Sequence, residues 1–165
     1  MLKTLYIHGL NSSPNRDKLK LIKQFSDVEA LHINYIETPH TFDLLSDCIT
    51  KLKINHIIGS SFGGFLGFWL AEKYGLPCLL FNPALAVKSL EMKLEKYTNR
   101  CPKRIVVLGS KDDTVDPILT NKFLQRHPSS LCVQRIIECN NLEHRIPVEV
   151  FKEFTYYFYN EWSCK

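Results

Sequence analysis

Short apolar runs alternate along the chain with stretches of helical periodicity, and loops rich in Gly, Pro, Asn and Ser separate them. Residues 2–7 are β-rich and apolar, and the run stops at His8-Gly9-Leu10-Asn11-Ser12-Ser13-Pro14. Between residues 15 and 25, Leu19, Leu21, Ile22 and Phe25 recur near helical spacing among lysines, predicting an amphipathic crossover helix. Residues 28–35 read as the second strand. After a loop containing Pro39, a helix capped by Thr41 or Asp43 is expected to run through Lys51, with Leu44, Leu45, Ile49 and Leu52 on one side. His56-Ile57-Ile58 reads as the third strand, and a helix over 62–74 ends at Gly75 and Pro77. Cys78-Leu79-Leu80-Phe81 is uniformly apolar, as in a strand covered on both faces. Residues 85–99 mix weak helical periodicity with many charges and are the candidate for a small lid. A buried strand over 104–108 follows, then a helix from Pro117 to His127, a strand over 131–139 and an aromatic-rich helix over 148–162. In that last helix Phe151, Phe154, Tyr157 and Phe158 are expected to make core contacts.

Six strands alternating with helices predict an α/β fold, a parallel sheet with helices on both faces. Neither a repeat nor a linker interrupts the pattern, and 165 residues correspond to one domain, residues 1–165. In such a sheet, chemistry gathers in loops beyond the carboxyl ends of the strands.

Composition narrows the setting. Hydrophobic residues at 45% and charged residues at 23% are ordinary for a globular protein and do not indicate disorder. The net charge of +4 comes from scattered lysines and arginines, which gives nucleic-acid binding little support. No apolar stretch approaches membrane-spanning length, and the N-terminus reads as a strand, not a signal peptide. Six cysteines form no C-x-x-C or C-x-x-H pattern, and several lie in apolar runs. A cytoplasmic protein without disulfides is expected.

The chain is organised around Gly59-Ser60-Ser61-Phe62-Gly63, the G-x-S-x-G pattern of a serine held on a tight strand-to-helix turn. Gly59 and Gly63 fall where strand and helix backbones approach too closely for a Cβ. Ser61 would project its hydroxyl above the sheet, and the amide of Phe62, at the helix N-terminus, would face developing negative charge. A serine hydroxyl needs a base, and the base needs a carboxylate to orient it. In this architecture the expected chain order is serine, acid, histidine. His144, in the loop after the sixth strand, fits best of the six histidines. His32, His40 and His56 precede or miss the order, His127 suits a helix C-terminus, and His8 is expected to fix the first loop by hydrogen bonding. Asp112, Asp113 and Asp116 compete for the acid, with Glu143 an outside candidate; Asp112 is favoured by its place midway between Gly109 and Val115. The second oxyanion donor is expected from the first loop, at the amide of Leu10, where Gly9 permits the turn.

These features resemble the α/β-hydrolase superfamily. More narrowly, residues 5–14, 59–64 and Asn82-Pro83-Ala84 resemble the small bacterial YqiA-like esterase family over nearly the whole chain. The resemblance implies a minimal three-layer hydrolase with about six mostly parallel strands in the order 2-1-3-4-5-6, lacking the first two antiparallel strands and any large cap. It implies action on carboxylic esters or acyl thioesters, with Ser61, Asp112 and His144 as the triad. In place of the Gly-rich turn that often precedes the family's histidine, this chain has Asn140-Asn141-Leu142-Glu143. The resulting expectation is a serine hydrolase working through an acyl-enzyme, with no metal or organic cofactor and a small-molecule substrate. Its pocket is expected to be shallow, formed by Asn11, Asn82, Pro83, Leu85 and Phe62. The alternatives are an amide or peptide hydrolase, and a hydrolase-fold binding module without turnover.

Overall fold

A computed structural model describes residues 1–87, 103–127 and 133–162. Most of the segment read as a lid, from residue 88 onward, lies outside the described residues, as does the start of the strand expected at 131. Six strands form one parallel sheet: β1 (Lys3–Ile7), β2 (Asp27–Glu29), β3 (His56–Ser60), β4 (Cys78–Phe81), β5 (Arg104–Gly109) and β6 (Gln134–Cys139). Their spatial order is β2-β1-β3-β4-β5-β6, so the sheet changes winding direction between β1 and β3. That reversal opens a crevice beyond the carboxyl ends of these two strands.

Alternation along the strands sorts side chains into two cores. Leu5, Ile7, Ile57, Leu80, Val106 and Leu108 share one core with residues of α2 (Thr41–Leu52), α3 (Phe62–Tyr74) and α4 (Pro117–Arg126). Tyr6, Ile58, Leu79, Phe81, Ile105 and Val107 share the other with residues of α1 (Arg16–Ile22) and α5 (Val148–Tyr157). Both faces of the central strands are therefore covered, which is why they read as continuous apolar runs. Helix α3 is apolar all round and buried from Gly63 to Glu72. Gly67 lets it approach the sheet, since a Cβ there would lie 3.1 Å from Ile57 and 3.2 Å from Leu80 side-chain carbons.

Several boundaries differ from the expectation. Strand β2 has three residues rather than eight, because the backbone beyond Glu29 leaves the sheet to bond the loop after β1. The cap of α2 is His40, which makes no side-chain capping bond; Thr41 is already helical and its hydroxyl donates to the carbonyl of Thr38. On α2, Leu45 and Ile49 are buried whereas Leu44 and Leu52 are exposed, so the buried stripe is narrower than expected. The last helix is α-helical to Tyr157 and continues as a π-helical turn over Phe158–Trp162. Phe151, Phe154 and Phe158 are buried, and Tyr157 packs partly buried against the same core.

His56, at the start of β3, lies against the rings of Phe158 and Tyr159, with both centroids at 5.7 Å. Its Nδ1 donates to Asn55, while its buried Nε2 has no hydrogen-bond partner. Burial lowers its pKa to about 4. The unfolded chain takes up this proton more readily than the folded one, so the stability is present above about pH 6.5 and is lost as pH falls toward 4. His127, lowered to about 4 by burial and by Arg104, acts in the same window. Urea denaturation between pH 7 and 4.5 is expected to show a stability loss to which His56 contributes roughly 2–3 kcal/mol. His56→Leu, which keeps the apolar contact, flattens that dependence; identical profiles would contradict the assignment.

Candidate active site

Ser61 occupies the turn between β3 and α3 with φ 55° and ψ −121°, a left-handed conformation that costs a non-glycine residue about 1–3 kcal/mol. Its amide donates to the carbonyl of Phe81 (2.9 Å), and its carbonyl accepts from the amides of Phe65 (3.0 Å) and Ala84 (3.1 Å). The turn is therefore tied both to its own helix and to the end of β4. A Cβ on Gly59 would stand 2.4 Å from the carbonyl oxygen of Gly63, as expected of strand meeting helix. Gly63 faces a different strand: its Cβ would lie 2.2 Å from the carbonyl oxygen of Ile7 and 2.4 Å from that of His8. Helix α3 thus starts directly on the end of β1.

This seating brings the first loop to the serine. A Cβ on Gly9 would be 3.2 Å from the Cβ of Ser61 and 3.7 Å from its Oγ. The loop is held by His8, which is buried. Its Nε2 accepts from the amide of Ile33 (3.0 Å), which leaves the proton on Nδ1, and Nδ1 donates to the carbonyl of Gly9 (2.8 Å). Burial lowers the pKa of His8, with nearby His32 acting in the same direction. Both ring nitrogens serve the backbone, in keeping with a histidine that fixes its loop. Tyr35 completes the clamp: its hydroxyl donates to the carbonyl of His8 (2.6 Å), and its ring meets that of Phe62 edge to face at 4.9 Å.

Ser61 Oγ lies 3.0 Å from His144 Nε2, and His144 Nδ1 lies 2.8 and 3.0 Å from the two carboxylate oxygens of Asp112. The three side chains form one hydrogen-bonded line across positions separated by 83 and 32 residues. The Asp112 side chain is fully buried, whereas that of His144 is 20% exposed. Asp112 Oδ1 also accepts from the amides of Thr114 and Val115, which fixes the carboxylate from behind. Its rivals are otherwise engaged. Asp116 caps α4 by accepting from the amides of Ile118 and Leu119, and Asp113 is exposed and accepts from the hydroxyl of Thr114. Glu143 is exposed beside His144 and contributes its carbonyl to Asn82.

Among the residues expected to line a pocket, Asn11 borders a cleft of roughly 160 Å³ with Leu10, Ser12, His32, Asn34 and Tyr35, small beside the usual range for ligand sites. Asn82, Pro83 and Leu85 are buried, which leaves them little surface to offer a substrate. Pro83 packs on Gly64, whose Cβ would lie 2.9 Å from that of the proline, and Leu85 belongs to the core. The Asn82 side chain is committed to backbone groups: Nδ2 donates to the carbonyls of Glu143 (3.0 Å) and His144 (3.2 Å), and Oδ1 accepts from the amide of Gly109 (2.7 Å). Neither this role nor the Tyr35 clamp was foreseen. An asparagine directly after a strand does signal a left-handed turn, and Asn82 has φ 42°. Nothing local in the sequence marks Tyr35.

The six-stranded parallel sheet, with a serine on the turn after its third strand, defines an α/β-hydrolase fold. The chain belongs to the uncharacterised protein family UPF0227, whose model matches residues 3–154. Its fold is similar to that of a monoacylglycerol lipase from Paleococcus ferrophilus (13% identity, 93% of this chain and 91% of that one, TM-score 0.72). It is similar also to SOBER1 from Arabidopsis thaliana (13% identity, 94% and 96%, TM-score 0.69) and to the esterase PE8 (16% identity, 95% and 91%, TM-score 0.69).

The closeness of α3 to β1 sets a stability test. Gly63→Ala would press a methyl group onto two backbone carbonyls that have no room to move, and is expected to cost more than about 3 kcal/mol in urea denaturation. A midpoint within error of the parent would contradict the packing.

Proposed function

We propose that the protein is a serine hydrolase cleaving carboxylic esters or acyl thioesters, and the observation that carries this is the Ser61–His144–Asp112 line. In the first half-reaction His144 Nε2 takes the proton of Ser61 as Oγ bonds to the acyl carbon, and the carbonyl pair becomes an oxyanion. Asp112 stabilises the imidazolium formed, without taking its proton. The tetrahedral intermediate collapses, the imidazolium protonates the departing alkoxide or thiolate, and an acyl-Ser61 ester remains. Water then gives its proton to His144 and its oxygen to the acyl carbon; collapse releases the carboxylic acid and returns the proton to Ser61 Oγ.

The amides of Leu10 and Phe62 are assigned to the oxyanion. Phe62 is the first residue of α3, so its N–H has no carbonyl one turn back to bond. The contact of Gly9 with Ser61 supports its neighbour Leu10 as the second donor. Each such donor contributes roughly 3–4 kcal/mol to the transition state. Short or medium acyl groups are the substrates proposed, and a small cleft lies beside Leu10 and Asn11. Among the described residues no helix is long and apolar enough to cross a membrane, and with scattered surface charge this supports a small-molecule substrate met in the cytoplasm.

The wild-type protein is expected to be labelled covalently at Ser61 by a fluorophosphonate at neutral pH. Ser61→Ala should abolish labelling and lower kcat for a chromogenic acyl ester by at least about 10⁴-fold with the fold intact. A folded wild type that neither labels nor turns over esters and thioesters of graded length would leave the binding-module reading in its place. For the acid, Asp112→Asn should lower kcat by about 10⁴-fold. Asp113→Asn and Asp116→Asn should stay within a few-fold of the parent, because asparagine caps a helix about as well as aspartate. A large loss at either would overturn the assignment of Asp112.

A further inference from the structure

Asn82 stands where three parts of the site meet, and among the described residues its hydrogen bonds go to backbone groups. It directly follows Phe81, whose carbonyl accepts the amide of Ser61. Its own amide donates to Val107 of β5, and its Oδ1 accepts from Gly109 at the end of that strand, whose carbonyl in turn accepts the amide of Asp112. Its Nδ2 reaches across to the loop after β6 and holds the carbonyls of Glu143 and His144. Strand β4 lies between β3 and β5 in the sheet, so Asn82 sits beside the serine segment while its side chain joins the acid and histidine segments.

The loop bearing His144 has few other ties. The amide of Leu142 donates to Cys139, the carbonyl of Leu142 accepts from Lys111, and the amide of Asn141 donates to the hydroxyl of Ser110. All three lie before Glu143, and among the described residues the Asn82 amide is the group that grips the backbone of His144 itself. Gly109 makes the approach possible, since a Cβ there would lie 2.3 Å from the carbonyl oxygen of Leu142. Asn82 is 1% exposed, and without it two carbonyls and one amide would lose the partner that its side chain supplies.

We propose that Asn82 is a positioning residue for the hydrolytic reaction: it sets the distance between His144 Nε2 and Ser61 Oγ by fixing the histidine's backbone to the ends of β4 and β5. The inference rests on the serine hydrolase reading. Proton transfer from Ser61 needs the imidazole within hydrogen-bond reach, and a misplacement of about 1 Å costs on the order of 100-fold. Substrate binding does not depend on that distance. The role therefore separates kcat from KM.

The test is Asn82→Asp, which keeps the shape, the left-handed backbone and the acceptor for Gly109 while replacing the two-bond donor with a carboxylate oxygen that faces the carbonyls of Glu143 and His144. Asn82→Gly keeps the backbone conformation and removes the side chain, and it carries the test if the first variant does not fold. For protein confirmed folded by circular dichroism, kcat for an acyl ester and the rate of fluorophosphonate labelling should both fall by about 30- to 100-fold, with KM within about twofold of the parent. A folded variant with kcat and labelling rate within threefold of the parent overturns the proposal. So does a rise in KM at unchanged kcat, which would return Asn82 to the substrate pocket. Wild-type protein that neither labels nor turns over would instead remove the hydrolase reading beneath it.

Discussion

Close backbone contact between the start of α3 and the end of β1 is the constraint from which the site follows. Gly63 lies against the carbonyl oxygens of Ile7 and His8 at distances no other residue could tolerate, and Gly59 lies against Gly63 in the same way. Two glycines therefore set how near the helix comes to the sheet. That approach forces Ser61 into its left-handed turn and seats it beside Gly9. The strain is held by three backbone hydrogen bonds, one from the serine's amide and two to its carbonyl. Loosening the contact would free the turn and separate the hydroxyl from the first loop together.

The remaining pieces are arranged by polar side chains that act on the backbone. His8 and Tyr35 clamp the first loop to the segment after β2, Asp112 is braced by two amides of its own turn, and Asn82 joins three strand ends. Each of His8, Asp112 and Asn82 is buried and its polar atoms are bonded. In a site of low dielectric, groups fully bonded in this way hold one geometry, because any other leaves a partner unsatisfied. Such rigidity is what the proposed hydrolysis would draw on, since donors already in place need no reorganisation as charge develops.

The sheet, its covering helices and the line of serine, acid and histidine were largely legible in the sequence. Continuous apolar runs in Cys78-Leu79-Leu80-Phe81 betray strands covered on both faces, and the glycines around Ser61 carry a steric signature that survives without coordinates. What was not legible depends on partners distant in the chain. Strand β2 reads as eight residues because 30–35 look extended and apolar. The bonds of Ile33 and Tyr35 to His8, 25 and 27 residues away, hold them to the first loop instead. The choice among Asp112, Asp113 and Asp116 likewise turns on which one faces a histidine 32 residues later, and Asn82 reads as a pocket residue until its bonds across 61 residues are seen.

The distances along the polymer between the joined groups bear on when the protein becomes competent during its synthesis. Ser61 and its turn leave the ribosome with β3 and can meet the first loop early, while their bonds to Phe81 and Ala84 wait for β4. Asp112 comes with the turn after β5, and His144 only after β6 has added itself to the growing edge of the sheet. A nascent chain thus carries Ser61 without its hydrogen-bonded histidine until nearly all of its strands are in place, and the full line of three side chains exists only in molecules whose assembly is complete.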